Sequence, residues 1–372
     1  MDDRSIQSRR RFLARTAGLG GVVLLGNALA ACGSDDDSSS TSGAGGATTA
    51  AGAGTAATTA AGSTPASGSL TSIDFQLSWL DSVQFAGSYI ADDKGYYAAE
   101  GLDVTLTPGG PNAPVDPPVV QGTALAGISA ADYAGKSVAS GAPFKIVGVA
   151  MQKNPFVIAS LTKNPVNVPQ DLEGKKLGMA TINQPVLDAL AKINGFDAAK
   201  VTVVPTQYDP APLVNGEVDC LLCWLTDLPV AMTVQGVENT TMLLADHGYT
   251  VHSQTYIVTE DTLKDRRDQV LGLLRGEIKG WQDYKADTDA AAELTVARFP
   301  DAGLDLATQK LQAARQVDLM FSADTDEHGF LWFTDESVTE NVATLAELGV
   351  TVTADLWDRS LLEEIFKDGP TI

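Results

Sequence analysis

The chain has 372 residues, of which 47 are Asp or Glu and 25 are Lys or Arg, so its formal net charge is −22. A surface this acidic repels phosphate backbones and anionic headgroups, which excludes nucleic acid as an expected partner. The 302 residues of 71–372 hold enough apolar material for two domains rather than one.

Residues 1–31 have the layout of an export signal. They contain the basic stretch Ser8-Arg9-Arg10-Arg11-Phe12-Leu13, an uncharged run over 16–31, and the ending Leu29-Ala30-Ala31-Cys32. The uncharged run has 16 residues, fewer than the ~20 apolar residues of a transmembrane helix. The basic stretch resembles a twin-arginine signal and the ending resembles a bacterial lipobox. These resemblances imply lipid on Cys32 and a location on the outer face of the cytoplasmic membrane.

Residues 32–70 consist almost entirely of Ser, Asp, Gly, Ala and Thr. Such a segment buries too little apolar surface to offset the entropy of ordering it, so we predict a disordered tether. Loss of 1–31 would leave 20 basic against 45 acidic residues, a net charge of about −25. We therefore expect the lipid on Cys32 to supply the membrane contact.

Beyond residue 70, short apolar runs alternate with longer amphipathic runs, which predicts an α/β fold with parallel sheets covered by helices. After Glu260 the pattern is almost wholly helical. The predicted strands are 73–77, 104–106, 126–129, 144–151, 176–179, 201–204, 218–224, 241–245 and 255–259. The predicted helices are 85–100, 130–140, 185–194, 209–215, 227–235, 263–287, 289–299, 306–319 and 337–348.

Besides Cys32, the chain contains only Cys220 and Cys223, in an apolar run that predicts a buried strand. Side chains three apart on a strand face opposite ways, so we expect buried free thiols rather than a disulfide. A redox pair and a metal site are the alternatives. With three histidines in the whole chain, a histidine metal cluster is not expected.

Ligands of open parallel sheets bind beyond the carboxyl ends of the strands. The loops at those ends contain aromatic and amide side chains but no nucleophile elbow and no phosphate loop, which indicates recognition without a cofactor rather than catalysis. The cations there are Lys153, His247 and His252, which favours a neutral or amine-bearing ring over an anion. The candidate ligand-binding residues are Trp79, Asp81, Gln84, Gly110, Asn112, Ser129, Asp132, Tyr133, Asn183, Gln184, Trp224, Asp227 and Tyr249.

Several of these candidates have a purely structural alternative. Ser129 and Asp132 form a Ser-x-x-acid pattern that can cap a helix, and Asp227 before a proline can do the same. Trp79 and Trp224 can be core residues instead of stacking surfaces. Both interpretations remain open from the sequence alone.

Residues 79–104, with the sequence WLDSVQFAGSYIADDKGYYAAEGLDV, resemble the start of the ABC-transporter solute-binding proteins for thiamine pyrimidines, riboflavin, alkanesulfonates and nitrate. The resemblance covers about 73–364. Its further marks are Gly127-Ile128-Ser129-Ala130-Ala131-Asp132, Gln152-Lys153-Asn154-Pro155, Asp171-Leu172-Glu173-Gly174-Lys175-Lys176-Leu177-Gly178 and Asn215-Gly216-Glu217-Val218-Asp219.

This resemblance implies the two-lobed type II periplasmic-binding-protein fold with two crossover strands. Lobe I would comprise 71–154 and 256–372, and lobe II would comprise 155–255. The implied protein is a monomer that is not an enzyme and that passes a small solute to an ABC permease and its ATPase. The expected ligand is a thiamine pyrimidine precursor, followed by riboflavin and then by a sulfonate or nitrate. A fungal pyrimidine synthase shares the superfamily, but Ser129 and Tyr133 fall where that enzyme has its lysine and histidine.

Overall fold

The computed structural model describes residues 69–110 and 113–372. The predicted export signal, Cys32 and the predicted tether up to residue 68 lie outside the described residues, as does the candidate Asn112. None of the helices in the described part of the chain combines the length and the apolar composition that a bilayer crossing requires.

Ten strands within the described residues form two five-stranded sheets, ordered β2-β1-β3-β10-β4 and β7-β6-β8-β5-β9. The strands are β1 (Thr71–Gln76), β2 (Leu102–Thr107), β3 (Ala126–Ala130), β4 (Phe144–Met151), β5 (Phe156–Leu161), β6 (Lys176–Met179), β7 (Thr202–Pro205), β8 (Cys220–Trp224), β9 (Asn239–Leu243) and β10 (Ser253–Thr259).

In each sheet four strands run in one direction and the fifth runs against them. In the first sheet β1 is parallel to β2 and β3, whereas β10 is antiparallel to β3 and β4. In the second sheet β6 is parallel to β7 and β8, whereas β5 is antiparallel to β8 and β9. The antiparallel strands are the ones that follow each passage of the chain from one sheet to the other. This arrangement confirms the predicted α/β fold class with two parallel-rich sheets.

Helices cover both sheets and make up nearly all of the chain after β10, as predicted. They are α1 (Ala86–Asp93), α2 (Tyr96–Ala99), α3 (Asp116–Val120), α4 (Ala131–Ala139), α5 (Gln184–Asn194), α6 (Ala211–Val214), α7 (Leu228–Val234), α8 (Glu260–Asp265), α9 (Arg267–Ala286), α10 (Thr288–Arg298), α11 (Leu306–Met320), α12 (Ala323–His328), α13 (Asp335–Glu347) and α14 (Ser360–Ile365).

Several elements differ from the sequence-based prediction. Strand β5 was not predicted, although its run Phe-Val-Ile-Ala-Ser-Leu contains two β-branched residues and is mostly buried between its neighbours β8 and β9. The predicted helix 85–100 is interrupted after α1, because Gly95 adopts a left-handed φ of 70° and restarts the chain as α2. Helices α3, α12 and α14 are short additions that the pattern did not indicate.

Helices α1 and α9 pack at unusually close range beside the first sheet. A Cβ atom at Gly87 of α1 would overlap the indole ring of Trp281, and one at Gly280 of α9 would overlap the main chain of Gly87. Glycine at both positions therefore lets the two helices touch along their backbones, and Trp281 fills the space beside them with no exposed surface.

A single fully buried carboxylate, that of Glu277 on α9, joins four elements of this core. It accepts hydrogen bonds from Tyr256 Oη of β10 at 2.5 Å and from Ser88 Oγ of α1 at 3.0 Å. Trp281 Nε1 donates at 3.1 Å, and the hydroxyl of Tyr97 in α2 is a fourth donor. Burial raises the pKa of Glu277, and these hydrogen bonds oppose that rise.

We predict that Glu277→Ala lowers the free energy of unfolding by about 3–5 kcal/mol, because it strands several buried donors at once. Urea unfolding followed by tryptophan fluorescence measures the change. The control is Glu364→Ala, which removes an exposed partner of Arg267 and should cost less than about 1 kcal/mol. Similar losses in the two variants would contradict a central role for Glu277.

Candidate ligand site

Four large apolar side chains are exposed in the segments that follow strand ends of the two sheets. Leu80 and Tyr133, which follow β1 and β3, are 54% and 52% exposed. Ile182 and Tyr208, which follow β6 and β7, are 73% and 64% exposed. Exposed apolar side chains gathered at the carboxyl ends of parallel strands are typical of a ligand site.

Aromatic rings from the two sheets meet in this region. The ring of Trp79, from the loop after β1, contacts that of Tyr208 edge to face, with 5.7 Å between centroids. Tyr133 is exposed near the start of α4, which follows β3, and burial of part of its ring raises the pKa of its hydroxyl, with a further contribution from Asp132. We call Trp79, Tyr133 and Tyr208 the aromatic cluster. Trp79 is partly buried and also packs against the core, so both of its predicted roles have a structural basis.

Two predicted stacking residues lie deeper in the second half of the chain. Tyr249 is buried, and its ring meets that of Phe156 at 6.4 Å, nearly perpendicular. Trp224 at the end of β8 also contacts Phe156, with 6.4 Å between ring centroids, and is partly exposed. Phe156 therefore contacts both rings, and of the two Trp224 is more accessible to a ligand.

The helix-capping alternatives for the acidic candidates are wrong. Helix α4 begins after Ala130, and no side chain caps it. Asp132 instead pairs with Lys136 at 3.3 Å. Asp227 immediately precedes α7, yet its carboxylate makes no capping hydrogen bond. Burial raises the pKa of Asp227 to about 6, so this acid is poorly solvated and has no capping hydrogen bond that would compensate for the lost water.

Two other candidates are less accessible. The Asp81 carboxylate accepts a hydrogen bond from Tyr89 Oη at 3.1 Å, so a ligand that used it would have to share it with the protein. Ser129 is buried on β3.

The remaining candidates are placed at the edges of the site. Gln184 donates to Asp188 at 2.8 Å, one turn along α5. Asn183 precedes α5 and makes no capping hydrogen bond, which leaves its amide for other partners. Gly110 and Gln84 are partly buried, and only the main chain of Gln84 is engaged with neighbouring amides.

The cations near the site differ from those expected. His252 is buried, and burial lowers its pKa to about 3, so the imidazole is neutral. Its Nδ1 accepts a hydrogen bond from Trp357 Nε1 at 3.2 Å. Lys153 pairs with Asp246 at 3.0 Å. His252 therefore cannot act as a cation toward a ligand.

Arg315 on α11 is a further candidate because it contacts the segment between β8 and α7, and sequence analysis did not find it. Its guanidinium donates to the Leu225 carbonyl at 3.4 Å and to Thr233 Oγ1 at 3.2 Å, and it pairs with no carboxylate within the described residues. Burial lowers its pKa. No local pattern indicates Arg315, because its helix and the loop that it contacts are 90 residues apart in the chain.

The two cysteines are buried free thiols, as predicted. Cys220 and Cys223 belong to two different core clusters on opposite faces of β8, and burial raises the pKa of both thiols. Across residues 69–110 and 113–372, no group of three or more His, Cys, Asp or Glu side chains is placed to hold a metal ion.

Two five-stranded sheets with aromatic rings meeting between their strand ends define a two-lobed α/β binding protein. The fold resembles that of the periplasmic aliphatic sulphonate binding protein SsuA from Escherichia coli, with a TM-score of 0.60, 14% identity, and coverage of 77% of this chain and 95% of that chain.

The chain belongs to the NMT1/THI5-like family, whose model matches residues 82–291. It is 27% identical over 279 residues to the riboflavin-binding protein RibY of Chloroflexus aurantiacus, covering 73% of this chain and 78% of that protein. It is 22% identical over 254 residues to the formylaminopyrimidine-binding protein of Halalkalibacterium halodurans, covering 64% and 74%. The predicted family is confirmed.

We predict that Asp227→Asn stabilises the protein at pH 7 by about 1–3 kcal/mol. The folded-state pKa of about 6 exceeds the ordinary value of 3.8, so ionisation costs stability as pH rises between these values. The gain should therefore shrink toward pH 4. Urea unfolding at pH 4 and pH 7 measures it.

The control for this charge change is Asp246→Asn, whose carboxylate is 57% exposed and lies in the same half of the chain. A gain for Asp227→Asn that is equal at pH 4 and pH 7 would contradict the raised pKa.

Proposed function

We propose that this protein is the extracytoplasmic solute-binding component of an ABC importer and captures a flat heteroaromatic nutrient. The observation that carries the proposal is the aromatic cluster, in which Trp79 after β1 contacts Tyr208 after β7. A planar ring that displaced this contact would stack on aromatic side chains from both sheets.

The polar groups around the cluster suit a ring that carries N–H donors. The poorly solvated carboxylate of Asp227 gains a partner when it accepts such a hydrogen bond. The amide of Asn183 can donate to or accept from ring atoms. Both features favour heterocycles over hydrocarbons.

Riboflavin is the first ligand to test, ahead of the thiamine pyrimidine that the sequence suggested. The exposed side chain of Leu80, next to Trp79 in the chain, adds apolar surface to the aromatic cluster, which suits three fused rings better than one. Similarity to the riboflavin-binding protein RibY supports this order. A formylaminopyrimidine follows, supported by the second relative.

An anion is the second candidate ligand, and Arg315 is the observation that favours it. Its half-buried guanidinium lacks a carboxylate partner within the described residues, and it bonds the Leu225 carbonyl beside Trp224. Arginine binds sulfonate-like groups through charge-assisted hydrogen bonds. The fold shared with a sulphonate binder is compatible with this ligand but does not favour it over a ring.

The proposal also includes export of the protein and its attachment to the membrane. The twin-arginine-like stretch 8–13 would direct export, lipid on Cys32 would anchor the chain, and residues 33–68 would tether the folded body near its permease. A pyrimidine synthase activity is not proposed, because Ser129 and Tyr133 supply neither an amine nor an imidazole.

We predict that Trp79→Ala and Tyr208→Ala each weaken binding of the ring ligand by about 1–3 kcal/mol, since each removes one stacking surface. Calorimetry on the full chain with Cys32→Ser, titrated with riboflavin, a formylaminopyrimidine, an aliphatic sulfonate and nitrate, measures affinity. The control is Trp332→Phe, a change at an aromatic residue that stacks on His328 instead.

Binding of the sulfonate alone, abolished by Arg315→Ala, would replace the proposed ligand class with an anion. Unchanged ring affinity in folded Trp79→Ala and Tyr208→Ala variants would remove the aromatic cluster from the binding site.

A further inference from the structure

Residues 77–82 form the loop that carries Trp79, and neighbouring elements fix this loop at three points. At the first point, the Trp79 carbonyl accepts a hydrogen bond from Gly109 N at 2.9 Å. A Cβ atom at Gly109 would lie 2.5 Å from the Ser78 main chain, so glycine is needed for this close approach. At the second point, Tyr89 Oη of α1 donates to the Asp81 carboxylate.

The third point is the backbone of Val83, directly after the loop. Val83 N donates to Oε1 of Gln309 on α11 at 2.8 Å. Val83 opens the short turn Val83–Phe85, so its N–H finds no acceptor inside that turn. Both Val83 and Gln309 are buried, which keeps water from replacing either partner. Gln309 is therefore the group that satisfies the end of the loop.

The buried face of α11 carries two glutamines where a helix normally has apolar residues. Gln309 and Gln316 lie two helical turns apart on this face, with Ala313 between them. Buried amides destabilise a fold unless they form hydrogen bonds. Both amides reach the same turn, since Gln316 Nε2 donates to the Gln84 carbonyl at 3.5 Å. Contact with this turn accounts for polar residues at both positions.

Helix α11 is itself fixed to the core of the first half. Tyr284 Oη of α9 donates to the Ala313 carbonyl at 2.9 Å and accepts from Gln316 Nε2 at 3.2 Å. Tyr284 is fully buried and lies two turns after Glu277 on the same helix. Gln309 therefore connects the loop of residues 77–82 to a firmly packed part of the molecule.

We propose that Gln309 is a positioning residue that fixes this loop so that the ring of Trp79 is placed for stacking on the ligand. Gln309 acts through the main chain of Val83 and not through contact with the ligand. A loop that is ordered before the ligand arrives loses less entropy on binding, which raises affinity. The effect on affinity rests on the proposed function, in which Trp79 stacks on a ring.

The test compares Gln309→Met with Gln312→Met in the full chain with Cys32→Ser. The first change removes the acceptor of Val83 N, whereas the second removes only the side chain that accepts from Gln309 Nε2 at 2.7 Å. Calorimetry with riboflavin measures affinity. We expect Gln309→Met to weaken binding about 3- to 10-fold and Gln312→Met to change it less than about 2-fold.

A double-mutant comparison shows whether Gln309 acts through Trp79. In a Trp79→Ala background, Gln309→Met should change riboflavin affinity less than about 2-fold, because the ring that it positions is gone. A loss of the same size in both backgrounds would mean that Gln309 affects the site generally, and would overturn the proposal.

A measurement without ligand follows the five tryptophans by fluorine NMR after incorporation of fluorotryptophan. The resonance of Trp79 is the one that disappears in Trp79→Phe. We expect Gln309→Met to shift or broaden this resonance and to leave the other four in place. A general loss of stability would lower the unfolding temperature but would not single out Trp79.

An unchanged Trp79 resonance in a folded Gln309→Met protein would also overturn the proposal and leave Gln309 a structural residue. If no ring compound binds, the proposed function fails. The resonance of the ligand-free protein still decides whether Gln309 positions Trp79, so the two failures are distinguishable.

Discussion

The buried carboxylate of Glu277 connects the helices and strands around the first sheet. It accepts hydrogen bonds from groups on α1, α2 and β10, and it lies on the long helix α9. The four donors replace the water that the carboxylate loses on burial. Because all four must reach the same carboxylate, they restrict how these elements can be arranged. Tyr256, one of the donors, lies within β10, so this strand is fixed to α9 inside the first sheet.

The fold was largely predictable because its signals are local. Alternating apolar and amphipathic runs identified nine of the ten described strands, and β4 and β6 matched to the residue. Strand β5 escaped because a short apolar run directly after a predicted strand and Asn154-Pro155 has no distinctive period. The direction of β10 was equally hidden, since pairing with β3 and β4 depends on contacts more than 100 residues away in sequence.

Residues of the candidate site could be predicted from the sequence only where an aromatic or polar side chain closely follows a strand. Trp79 and Asp227 were found by that rule, and the structure gives both an environment suited to a ligand. Tyr208 was missed because it follows the short edge strand β7 in a loop with little aromatic character. Arg315 was missed because its position depends on how α11 packs between the Val83–Phe85 turn and α7, which no local pattern encodes.

The opposite placement of Cys220 and Cys223 bears on the proposed export route. Because the two thiols belong to separate core clusters on either face of β8, the described fold needs no disulfide. Such a body can reach its native state in the reducing cytoplasm, before export, as a twin-arginine route requires.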